Sequence, residues 1–387
     1  MENANPALSS PDNNFQIFKR EDKKRSDLFD FLKLIAMSYV LIGHVLQRWY
    51  VSNFTSSIGF ALFYSVSLSL FFFVGGFFVN RSSTLKGLLK YLLKLLVLYI
   101  VPAYLFTCLS IWFLPRFADH DFAYWMNELY LRTDTFYWFF LTAFFINAAI
   151  AISFYVGQLL FKKKNLLNDV LITATIIVLL IAFSYIFIHI YNHPDLGPAL
   201  LSANMLLYYL PISLCGFLIK TFAKYVEKWR GLKILRLVIF AISLIGYSIS
   251  LFYFQNWIVG LSGSFLDVFY RLIGSLCGVL TYYYLSLFLT STFRLQKIAM
   301  YGKYSGPFYL VHVFLIRLLA SYLPRPTLFD QSTIIFIIFL TIGFYLGSLG
   351  ITIFLVEIPL TDFLLFGNYR RLKKLSILFR SKKRSSI

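Results

Sequence analysis

One otherwise apolar stretch, RSDLFDFLKLIAMSYVLIGHVLQR from Arg25 to Arg48, carries Asp30, Lys33 and His44 inside it. Ionisable groups in a membrane-spanning helix are costly unless they face the bundle interior, a partner or a water-filled cavity, so their default reading is functional. Lys33 and His44 are eleven residues apart, which on an α-helix is three turns plus about 20° and about 16 Å of axial rise. They therefore share one face. Asp30 precedes Lys33 by three positions, a spacing at which the two pair on the helix surface. The polar line so formed begins at the cytoplasmic end and stops at a histidine deep in the helix. An imidazole in that position supports two kinds of chemistry, general-base catalysis and nucleophilic transfer.

The elements that must position these groups are membrane helices. The 387 residues are 59% hydrophobic and 20% aromatic with only 14% charged, which excludes an ordinary soluble domain. About 20 apolar residues span a bilayer core. Ten such windows occur, at 29–48, 57–79, 88–113, 136–160, 168–190, 200–219, 233–254, 263–290, 304–323 and 332–366. The expected fold is all-α, a polytopic bundle of about ten transmembrane helices with both termini cytoplasmic. Residues 25–368 form the membrane domain, between a flexible basic segment at 1–24 and a basic tail at 369–387. No short apolar core with a small-residue cleavage site follows the polar first 18 residues, so no cleavable signal peptide is expected.

The net charge of +19 is explained by its distribution. Most Lys and Arg residues fall in every second loop, counted from a cytoplasmic N-terminus, as the positive-inside rule requires. The basic excess sets topology and meets anionic membrane lipid, and no nucleic-acid partner is expected. Cys108, Cys215 and Cys277 lie far apart in apolar segments, which suggests neither a disulfide framework nor a thiolate metal site.

Other candidates are read along the chain. Gly75 and Gly76 permit close helix approach. Arg81, Lys90 and Lys94 lie near the start of the first helix and, with Arg25, form a cluster suited to a phosphate-rich ligand. Asp119, His120 and Asp121 are adjacent and cannot easily converge on one ion, and His189 and His193 lack the glutamate of a zinc helix. No metal site is assigned. Asp267 and Arg271, four apart, read as an ion pair across one turn. The ninth window, GKYSGPFYLVHVFLIR, holds Tyr309 and a second buried histidine, His312, and the tenth ends near the cytoplasmic face with Glu357.

Four patterns in order along the chain resemble the integral-membrane acyltransferase-3 family. They are Arg25, Asp30, Lys33 and His44 in the first helix, FFFVGGF from Phe71 to Phe77, GKYSGPFYLVH from Gly302 to His312, and Glu357 with Pro359. The family pattern of a basic residue, ten residues and a histidine matches Lys33 and His44. Gly75 stands where the family usually has serine. The resemblance implies transfer of an acyl group, most often acetyl from acetyl-CoA, to hydroxyls of cell-surface polysaccharides or lipid-linked sugars. It implies His44 as the catalytic histidine, Lys33 as the accompanying basic residue and a bacterial inner or plasma membrane location. Asp30 would orient Lys33; Arg25, Arg81, Lys90 and Lys94 would hold the acyl-CoA phosphates; His312, Tyr309 and Glu357 would support the pocket. Acyl-CoA is a co-substrate, and no bound cofactor is expected. The rival readings are an exporter of a glycan or lipid-linked sugar, which lacks the internal symmetry many transporters show, and an O-succinyltransferase of the same fold.

Overall fold

A computed structural model describes residues 13–49, 58–113, 121, 123–124, 137–162, 165–191, 203–227, 231–253, 264–320, 322–323 and 331–368. For 13–26, 190–191, 203, 265 and 331–332 the backbone alone is described. The ordered elements are helical throughout: α1 (Asn13–Trp49), α2 (Ile58–Tyr64), α3 (Ser67–Phe77), α4 (Leu85–Leu95), α5 (Val101–Phe113), α6 (Trp138–Leu160) and α7 (Leu166–Tyr191). There follow α8 (Ala203–Val226), α9 (Leu232–Tyr253), α10 (Phe265–Thr292), α11 (Gln296–Ala299), α12 (Ser305–Leu319), α13 (Gln331–Glu357) and α14 (Pro359–Phe366). Among the described residues, nine segments are long and apolar enough to cross a membrane.

The ninth expected crossing is assembled from pieces. The 3₁₀ turn Met300–Tyr304 runs into the 15 residues of α12; at about 2.0 and 1.5 Å per residue these reach about 32 Å, close to a bilayer core. Helix α1 continues upstream of the apolar stretch to Asn13, in keeping with the Lys, Arg and Glu content of that segment.

Three single windows are interrupted, each for a local reason. The second breaks at Ser65–Val66 into α2 and α3. The carbonyls freed there are satisfied from other helices, Tyr247 Oη donating to Leu62 O at 3.0 Å and Ser275 Oγ to Ser65 O at 2.8 Å, as a spanning segment without water requires. In the third, a π-helical turn at Leu96–Ile100 joins α4 to α5 just before Pro102. Proline has no N–H to give and crowds the carbonyl four residues back, and a wider turn relieves both. The tenth ends at Glu357, because Ile358 is extended (φ −86°, ψ 112°) and Pro359 opens α14. A residue before proline is driven out of the helical region, while proline itself suits a first helical position.

Helix α1 is the hub, packing on α2, α3, α10, α12, α13 and the 3₁₀ turn. Lipid tails are as apolar as leucine, so close van der Waals packing rather than exclusion from water holds such helices together. Phe29, Leu32, Ala36, Leu41 and Val45 are buried, with the Phe29 ring 4.3 Å from that of Phe77. Three glycine contacts set the closest approaches. A Cβ on Gly302 would collide with the carbonyl of Asp30, and Cβ atoms on Gly76 and Gly216 would strike the backbones of Ser213 and Phe73. The first pins the 3₁₀ turn to α1 beside the polar line; the other two lock α3 against α8.

The Asp267 and Arg271 expectation is modified. Asp267 accepts from the Ser264 N–H and hydroxyl in a capping box at the start of α10, which occupies its carboxylate at a helix N-terminus. Arg271 Nε donates to the Asp267 main-chain oxygen at 3.2 Å, and the two side-chain charges still attract each other.

Candidate active site

The first-helix polar line forms as expected at its basic end. Lys33 Nζ and Asp30 Oδ1 are 2.5 Å apart. Lys33 lines a cavity of about 260 Å³ walled by α3, the α4–α5 segment, α6 and the start of α12. Its lining includes Lys94, Gly75, Asn147, Gly306, Phe139 and Tyr309. The two cations lie toward the basic end, and the aromatic rings of Phe139 and Phe140 close around Tyr309 at centroid distances of 5.0 and 5.5 Å.

A wider basic groove of about 520 Å³ adjoins this cavity and shares Phe78, Tyr91 and Lys94 with it. Arg81, Lys90 and Lys220 complete its cationic lining. The expected cluster of Arg81, Lys90 and Lys94 is thus brought together, and Lys220 joins it from α8. The Arg25 side chain lies outside the described residues. Arg81 is anchored rather than freely swinging: one terminal nitrogen donates to Phe217 O at 3.1 Å and Thr221 Oγ1 at 2.9 Å, with the guanidinium 4.6 Å above the Phe217 ring. Burial lowers its pKa from the ordinary arginine value, while the charge of Asp169 pulls the other way.

At its inner end the cavity stops at Tyr309, and the two histidines lie behind it. The Tyr309 ring meets His312 edge-on at 5.3 Å, and the His312 and His44 rings are 5.6 Å apart, tilted by 38°. His44 does not line the cavity; Tyr309 and His312 stand between. Helix α12 sets this arrangement through its own turn, because Phe308 and His312 are four apart and stack at 5.2 Å. His312 Nδ1 lies 2.9 Å from Phe308 O. A carbonyl only accepts, so Nδ1 carries the proton and, in the neutral ring, Nε2 presents a lone pair. That Nε2 is buried with no hydrogen-bond partner among the described residues. Gln47 lies close enough to influence His44, and the charge of Arg317 reaches His44, Tyr137 and Tyr309, its guanidinium 5.9 Å from the Tyr137 ring centre.

Glu357 is not brought to this site. It is exposed at the basic end of α13, where Tyr304 Oη donates to it at 3.2 Å, and it lines neither the cavity nor the groove. The break at Ile358, before Pro359, ends the helix at Glu357 itself and leaves it at the surface. The glycine pair also divides: Gly76 packs on α8, whereas Gly75 faces the cavity, its would-be Cβ 3.6 Å from the Asn147 side chain. Asp119, His120 and His193 lie outside the described residues.

Several site residues carry no sequence-level assignment. Asn147 is buried, donates Nδ2 to Ala143 O at 2.7 Å and keeps its oxygen for the cavity. A lone amide in the apolar middle of α6 is the signal for it. Arg317 follows His312 by five positions, about 140° round the helix, so spacing argues against what the length of its side chain achieves. Lys220 is one more charge at the basic end until the fold sets it beside Arg81.

A family model described as an acyltransferase domain, Acyl_transf_3, matches residues 27–353. No curated protein and no solved structure matches the chain.

Proposed function

The chain belongs to the acyltransferase-3 family, and from that premise we propose that it moves an acyl group, acetyl in the first place, from acyl-CoA to a hydroxyl of a cell-surface polysaccharide or lipid-linked sugar. It is a multi-pass membrane acyltransferase; the donor, the O-linked acceptor and the cell membrane of a bacterium are the proposed refinements. One observation carries the reading: the basic groove, the cavity, Tyr309, His312 and His44 follow one another without a gap.

Arg81, Lys90, Lys94 and Lys220 receive the donor's phosphates at the cytoplasmic mouth, as charge-assisted contacts favour. The pantetheine arm occupies the cavity past Lys33, whose charge is steadied by Asp30, and brings the thioester to Tyr309. The acceptor hydroxyl approaches His44 from the opposite side. Its proton passes to the His44–His312 pair as the oxygen attacks the thioester carbon; the carbon–sulfur bond breaks, the ester forms, and the thiolate of CoA leaves and takes up the proton. His312 holds the His44 ring in place and offers Nε2 as a second resting place for the proton. The aromatic inner end suits a small neutral acyl group, because a free carboxylate there loses its water, which favours acetyl over succinyl.

The experiment is to incubate the protein in lipid nanodiscs with radiolabelled acetyl-CoA and to follow CoA release and label on added glycan or on protein. Turnover lost in a folded His44→Ala protein supports the reading, and label on the protein that needs His44 assigns that residue as an acyl carrier. Turnover retained by His44→Ala refutes the assignment. Inertness toward both acetyl-CoA and succinyl-CoA refutes the donor.

A further inference from the structure

A second groove lies on the outer surface of the bundle, between α9 and α10, and shares no lining residue with the cavity or the basic groove. Its volume is about 690 Å³. The walls are apolar, made by Leu237 and Phe240 from one helix and Leu285 and Phe288 from the other. Two cations, Lys233 and Arg236, stand at the end where α9 begins and α10 finishes, and no carboxylate is among the lining residues. The Tyr284 hydroxyl faces Arg236 closely enough to feel its charge.

The dimensions match one leaflet of a bilayer. From Lys233 to Phe240 is seven residues, and from Thr292 to Tyr284 eight, about 10 and 12 Å along the helices; half of a bilayer core is about 15 Å. The groove opens outward, since Leu237 and Phe288 in its walls are 67% and 60% exposed. Cations that only set topology need no concavity beneath them. Here they crown an apolar trough of acyl-chain depth, at the level where headgroup phosphates lie.

We propose that this groove binds an anionic phospholipid, its phosphate on Lys233 and Arg236 and one acyl chain between Leu237, Phe240, Leu285 and Phe288. A basic residue near an anionic membrane surface is worth about fivefold in binding, so the pair sets a preference of roughly thirtyfold for an anionic over a zwitterionic headgroup.

The test is competitive lipid retention on the full-length protein. Delipidated protein in detergent is given equal phosphatidylglycerol and phosphatidylcholine, and bound lipid is counted by native mass spectrometry. Wild type is expected to retain phosphatidylglycerol in clear excess. Lys233→Gln with Arg236→Gln should remove the excess, and Leu237→Trp, at an exposed site that leaves both charges in place, should expel lipid of either kind. Lys297→Gln, which removes one positive charge outside the groove, should alter nothing. Equal retention of the two lipids by wild type, an equal loss in Lys297→Gln, or displacement of phosphatidylglycerol by millimolar inorganic phosphate overturns the proposal; the last would make this a free-anion site.

Discussion

Gly306 offers the sharpest separation of fold from function. It is the second residue of α12 and lines the cavity, and a Cβ placed on it meets nothing within 4 Å. A side chain there enters the space assigned to the donor's arm without pressing on a helix. Replacing glycine removes a poor helix former, so alanine should leave stability unchanged or raise it by up to about 1 kcal/mol. Phenylalanine adds a ring to a cavity of about 260 Å³ that the donor must then share. Overpacking of a filled site costs about 1–3 kcal/mol, which at 1.36 kcal/mol per tenfold is roughly 5- to 150-fold in rate. The series Gly306→Ala, Gly306→Leu and Gly306→Phe should therefore hold its thermal midpoint in detergent while kcat/KM for acetyl-CoA falls stepwise, about 100-fold by phenylalanine. A folded Gly306→Phe protein that turns over acetyl-CoA within twofold of wild type refutes the cavity as the donor's path. An alanine variant that fails to fold refutes the open geometry at this position.

Two further outcomes follow from the same structure. Lys90 and Lys94 are exposed, and exposed ion pairs are worth about 0.2–1 kcal/mol, so each change to glutamine should raise KM for acetyl-CoA up to about fivefold with kcat kept; the effect should vanish near 1 M salt, where screening acts within about 3 Å. A KM indifferent to both mutation and salt argues against a phosphate site in the groove. Gly302→Ala drives a Cβ onto the Asp30 carbonyl and should cost about 1–3 kcal/mol, read as a lowered unfolding midpoint. An unchanged midpoint would show that the contact between α1 and the 3₁₀ turn is loose.

The sequence by itself determined the class of fold and the line from Asp30 to His44. Apolar length and the side of each basic loop are properties of single segments, and eleven residues on one helix fix a shared face whatever surrounds it. Helix interruptions were less legible. Pro102 and Pro359 mark two of them, but the break at Ser65–Val66 depends on hydroxyls of Tyr247 and Ser275, almost 200 residues away or more, that make it tolerable. Only the tertiary structure decided which polar groups meet. It placed His312 against His44, set Lys220 beside Arg81, turned Asn147 to the cavity and left Glu357 at the surface. It also put Tyr309, rather than His44, at the end of the cavity. The physical reason is that a helix fixes angles among its own residues, whereas contacts between helices are set by where backbones come closest, and here that is at Gly76, Gly216 and Gly302.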